Sequence, residues 1–146
     1  MEYFVNDEHW DIEGYYKNLE QLSKRLGTSY QFLKDNSFHD YRLVKMEVKE
    51  LENLVIEVNL CLRNPYENID YIIRWKNIKK FSFQYDYSKY KFSNLDDYVT
   101  DDGYGTVAED EITAYDEKYL QHELLFTSRM KLHLVGESIE IIGYNY

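Results

Sequence analysis

Residues that staple or stiffen small proteins are scarce in this chain of 146 residues. The one cysteine, Cys61, cannot form an internal disulfide, so stability has to come from burial, and a reducing compartment suits the chain. Proline occurs once and glycine six times, too rarely for a collagen-like or low-complexity sequence. No apolar run is long enough to span a bilayer. The opening Met1–Glu8 lacks the basic start and long apolar stretch of a signal peptide, so a cytoplasmic protein is expected. Positive charge is the other shortage: 17 Lys and Arg stand against 27 Asp and Glu, a net charge of −10. Nucleic-acid binders need a basic face to neutralise phosphate, so direct DNA or RNA binding is excluded as an expectation, and anionic membranes would repel the chain. A cationic partner is the one its field favours.

What is abundant is aromatic: 16 tyrosines and 7 phenylalanines mark a folded chain, and its length suits one domain. Apolar residues mostly alternate. In Asn53–Leu62 the side chains of Leu54, Ile56, Val58, Leu60 and Leu62 fall at period two, with Glu57 and Asn59 between them on a mostly wet face. Val44, Met46 and Val48 precede them; Ile69, Tyr71, Ile73 and Trp75 follow the turn at Asn64–Asn68; after Asn77 a further strand carries Phe81, Phe83 and Tyr85. The short connections predict a meander over about residues 41–86. The C-terminal strands, 118–143, carry Leu120, His122, Leu124 and Phe126, then Met130, Leu132 and Leu134, a turn at Gly136-Glu137, and Ile139 with Ile141. One helix is expected over about 12–26: Asp11 is placed to cap it, Tyr15, Leu19, Leu22 and Leu26 form its apolar stripe, and Gly27 suits the left-handed position after it. The expected fold is α+β and mostly β, an antiparallel meander of about eight strands in a curved sheet or two-layer sandwich with the helix packed on it.

The region 87–117 breaks the period and concentrates the acids. Asp96, Asp97, Asp101, Asp102, Glu109, Asp110, Glu111, Asp116 and Glu117 share a window with no Lys or Arg. Five tyrosines from Tyr87 to Tyr115, Tyr104 among them, lie in or beside it, and tyrosine supplies contact area at low entropic cost. Two readings apply: a solvated loop with an outer strand face, or a docking surface for a basic protein formed by Asp96, Asp97, Asp101, Asp102, Tyr104, Glu109, Asp110 and Glu111. An EF-hand register on Gly103 puts Tyr98 where the first acidic ligand belongs, so no calcium loop is expected. His9, His39, His122 and His133 lack zinc spacing, and no cofactor motif occurs. Ser37-Phe38-His39-Asp40 holds the residue types of a hydrolytic triad, but strand neighbours face opposite ways, so a capping role for Ser37 or Asp40 is the simpler reading. His122 falls among apolar residues and is expected as a core histidine with one partner.

The Phe38-His39-Asp40 start, the stretch Trp75-Lys76-Asn77-Ile78-Lys79-Lys80-Phe81 and the late His122-Glu123-Leu124-Leu125-Phe126 resemble a group of small bacterial domains, some of them similar to immunity proteins of polymorphic toxin systems. The resemblance covers about Ser37–Ile142. It implies a non-enzymatic inhibitor of one cognate toxin; no cofactor or metal is expected from the motifs above. Two alternatives stand beside it: a small ligand-binding or enzymatic domain with a helix–sheet pocket near His39 or His122, and a self-associating module with exposed edge strands.

Overall fold

Alternating apolar residues become sheet, and the N-terminal apolar stripe becomes helix. In a computed structural model that describes residues 1–6, 8–85 and 103–145, the chain runs β1 (Phe4–Asn6), β2 (His9–Trp10), α1 (Ile12–Gln21), α2 (Ser23–Leu26), α3 (Ser29–Asp35), β3 (Arg42–Glu50), a 3₁₀ turn (Glu52–Leu54), β4 (Ile56–Arg63), β5 (Ile69–Gln84), β6 (Val107–Ala114), β7 (Leu120–Phe126) and β8 (Lys131–Asn145). The fold is α+β and mostly β. Among the described residues, six strands form one antiparallel sheet in the order β3-β4-β5-β8-β7-β6, and β1 and β2 form a small second sheet.

The helix is capped as expected, but it is not continuous. Asp11 accepts the N–H of Gly14, and a Cβ at Gly14 would collide with that carboxylate, so the poor helix former is what lets the cap close. The chain breaks at Leu22, resumes as α2, and leaves it through Gly27 at φ +60°. Ser29–Asp35 adds a third helix. Leu19, Leu22, Leu26 and Leu33 are buried, so the stripe that called for a cover has one.

The β3-β4-β5 meander forms as expected, whereas two expected turns do not. Residues 69–84 are one strand, and so are residues 131–145. Asn77 takes φ +53°, and the ladder shifts register between Ile78 and Lys80 without reversing. Gly136 pairs with Ile78 directly opposite, and a Cβ there would lie 3.1 Å from Trp75 and Ile78 side-chain atoms. The two turn signals face each other across one ladder, so they bend it together. Other details depart from the alternation. On β3 the register shifts between Leu43 and Lys45, so Leu43 is buried while Val48, expected inward, is exposed. Leu54 is exposed because the chain turns through positive φ at Asn53 and Leu54. Phe83 and, just past β5, Tyr85 are exposed, since among the described residues that end of β5 pairs only with β8. Glu57 and Asn59 are buried, because Asn59 donates to Glu57, and Arg74 donates to Asn59 at 3.0 Å and lies 3.7 Å from Glu57.

Bending brings the two outer strands together. Asp40 N–H donates to the Val107 carbonyl, Val107 N–H to the Tyr41 carbonyl, and Leu43 N–H to the Gly105 carbonyl. The sheet is therefore curved and partly closed on itself, around a core of Trp75, Phe38, Phe126, Leu60, Leu62, Ile73, Ile112, Leu124 and Leu134.

Candidate functional site

The junction of β6, the helices and the N-terminal arm gathers the polar groups that the core cannot absorb. β6 is an outer strand, and its free edge is closed at two places. At one end Val107 is joined to Asp40 and Tyr41. At the other, Ile112 N–H donates to the Tyr15 hydroxyl at 2.9 Å, and its carbonyl accepts from Asn18 at 2.8 Å. Between these closures, Ala108, Glu109 and Asp110 line a cavity of about 350 Å³. Its aromatic walls are Phe4 and Trp10 from the arm, Tyr15 and Tyr16 from α1, and Phe38 ahead of β3, with His39 at the same wall. The rings support one another: Phe4 meets Trp10 at 5.3 Å and Tyr15 edge-on at 5.1 Å. Two carboxylates, Glu109 and Asp110, complete the wall, which among the described residues contains no lysine or arginine.

Behind the cavity lies a buried relay. His122 is fully buried, and its Nε2 lies 2.9 Å from Asp110 Oδ2. On the other side of the ring, Trp75 Nε1–H donates to His122 Nδ1 at 3.2 Å. An indole N–H only donates, so Nδ1 must accept, and the imidazole proton sits on Nε2, aimed at Asp110. Two core residues thus fix the orientation of a carboxylate that reaches the cavity. The core histidine expected from sequence has two partners, Trp75 and Asp110, rather than one. His39 instead places Nδ1 3.2 Å from Asp40 Oδ1. The two side chains can meet because both residues precede β3, in a turn where Asp40 has φ +69° and strand alternation does not apply. Ser37 does cap, accepting the His39 N–H.

The arm forming one wall is held by Glu111. This residue is 1% exposed, and its carboxylate accepts the backbone N–H groups of Glu2, Tyr3 and Phe4 at 2.7, 2.6 and 2.5 Å. Trp10 Nε1–H donates to Glu109 at 3.2 Å, tying the second strand of the arm to the same edge.

The sequence-predicted docking residues therefore divide. Glu109 and Asp110 meet in the cavity wall. Glu111 does not belong to an exposed face, since its carboxylate is spent on the arm. Tyr104 packs against the core and meets Tyr85 edge-on at 6.4 Å. Asp96, Asp97, Asp101 and Asp102 lie outside the described residues. At the far end of the acidic window, Asp116 accepts from the N–H groups of Lys118 and Tyr119, and Lys79 lies 3.9 Å away. Those backbone bonds hold its carboxyl below the usual range. The sequence does point to Met1–Trp10 as a short strand or irregular arm, with Trp10 stapling it to the helix, and that arm forms; what it does not signal is that Phe4, Trp10 and Tyr15 wall a cavity. No match emerges when the sequence is compared with models of known protein families and with curated proteins. Among the described residues, no helix is long and apolar enough to cross a membrane.

Tyr15 carries a pH prediction. Burial, and then the charge of Asp110, push its hydroxyl well above the ordinary value of 10.0. The unfolded chain ionises first, so the contribution of Tyr15 is complete below that value and is lost as pH rises toward the folded one. Tyr3 and Tyr41 are raised in the same direction. Denaturation midpoints are expected to fall above about pH 10. Tyr15→Phe should show a shallower fall; an unchanged slope would mean that Tyr15 ionises freely in the fold.

Proposed function

We propose that this chain is a non-enzymatic binding domain whose partner is a basic protein; the resemblance noted above implies a toxin domain as that partner. The observation that carries the reading is the composition of the cavity wall: among the described residues, five aromatic rings, two carboxylates and no lysine or arginine. Aromatic faces and carboxylates both attract cations, and such a wall offers an anion nothing comparable. The chain's net charge of −10 adds a long-range field that speeds the approach of a positive partner. In this reading Asp96, Asp97, Asp101 and Asp102 steer the encounter, while Glu109 and Asp110 receive it.

Selection of random peptides displayed on phage tests this. Bound sequences are expected to be rich in Arg and Lys and to elute with salt; a bound set without basic enrichment would contradict the reading. Replacing Asp101 and Asp102 by lysine should then slow association with a selected peptide by about tenfold at low salt and flatten its salt dependence. An unchanged association rate would remove these residues from the encounter.

A further inference from the structure

We infer that the edge of β6 between its two closures takes an extended segment of the partner as an added antiparallel strand, with an arginine of that segment opposite Asp110. The inference rests on the basic-partner reading and adds its binding mode.

The ladder fixes which groups face outward. Ile112 is opposite His122, and its N–H and carbonyl are taken by Tyr15 and Asn18 at the free edge, so this pair exchanges no ladder bonds. Tyr115 N–H donates to the Tyr119 carbonyl, which gives the same phase from the other end of β7. Asp110 is two residues before Ile112, opposite Leu124, and so has the same phase. Its backbone N–H and carbonyl therefore point away from β7, off the edge of the sheet. Among the described residues, nothing bonds them. An antiparallel strand laid here would meet Asp110 in a hydrogen-bonded pair, exchanging both bonds.

The same geometry selects the side chain. In such a pair both side chains project to the same face, with Cα atoms about 5.5 Å apart. Asp110 projects toward His122, beneath the aromatic wall. The residue opposite it would thus have a carboxylate beside it and rings above it. A guanidinium meets both demands, since its fork fits a carboxylate and its plane stacks on an aromatic face. The window closes at Val107 and at Ile112, so it admits the paired residue and little more. The cavity, at about 350 Å³, lies at the low end of small-ligand sites and suits one side chain.

Three capped peptides titrated into the isotope-labelled full chain separate the claims: acetyl-Val-Arg-Val-amide, its citrulline counterpart, and a form methylated on the arginine backbone nitrogen. The arginine peptide is expected to shift the Asp110 amide and the Trp10 indole N–H signals. The citrulline and methylated forms should each bind at least about tenfold more weakly. Equal binding of the methylated form would overturn strand addition, and equal binding of citrulline would overturn the arginine. If phage-selected basic peptides bind and yet leave Asp110 unmoved, the edge site is wrong while the basic-partner reading stands. If selection yields no basic peptides and the arginine peptide still binds as described, the edge site stands and the basic-partner reading fails.

Discussion

Replacing His122 by alanine is expected to destabilise the fold by about 3–5 kcal/mol, which equilibrium urea denaturation would measure. Two costs combine. The imidazole is fully buried, so its removal opens a cavity beside Trp75, Ile112 and Leu134. It also leaves the Trp75 indole N–H and one oxygen of Asp110 without their partner. Leaving a buried donor unmade costs more than its hydrogen bond contributes, and the carboxylate adds to that. Trp75→Phe is a milder version: it keeps most of the ring volume and strips only the donor, with an expected loss of about 1–3 kcal/mol. An effect below about 1 kcal/mol for His122→Ala would mean that the relay is not a structural element.

Replacing Glu111 by alanine is expected to cost about 2–4 kcal/mol and to release the N-terminal arm. One carboxylate satisfies three backbone donors, from Glu2, Tyr3 and Phe4, more than 100 residues away in sequence. Without it those amides have no acceptor, and Phe4 loses its hold on Trp10 and Tyr15. Hydrogen exchange should show amides 2–4 exchanging faster while the β4 and β5 amides keep their protection. Glu111→Gln is expected to fall between, because its amide oxygen can still take the Tyr3 and Phe4 bonds while its NH₂ faces the Glu2 N–H. Unchanged exchange at residues 2–4 in Glu111→Ala would show that the arm is held by its aromatic rings alone.

The strands were legible because a half-buried sheet writes its period into the sequence. Val58, Leu60, Leu62, Ile73 and Trp75 are all completely buried, on the phase that alternation assigned. Turn signals were harder to read. Asn77 and Gly136 each resemble a strand end in isolation, and only the β5–β8 register places Gly136 across from Ile78, turning two breaks into one bend. The cavity was half legible. His122 sits on the apolar phase of β7, and Asp110 shares the phase of Ile112 on β6, so an acid and a histidine out of place on adjoining strands were a signal that cross-strand matching would have found. Glu111 left no such trace, because its partners are backbone amides, and backbone carries no residue signature. Glu111 departs from the acidic surface for the same reason: charge in sequence does not tell whether a carboxylate faces solvent, a histidine or a row of N–H groups.

The site's design follows from that division of labour. Glu111 holds the arm, the arm supplies Phe4 and Trp10, and Trp75 through His122 orients Asp110 beneath them. The discrimination this implies is by charge rather than by shape, and citrulline is the near-isosteric neutral control for arginine. The most direct measurement is therefore the Trp10 indole N–H and Asp110 amide signals as arginine amide or citrulline amide, each capped with an acetyl group, is added to the full chain. Arginine amide is expected to move both signals and citrulline amide to leave them in place. Equal movement by the two compounds, or none by either, would contradict a cation-selective cavity at this edge.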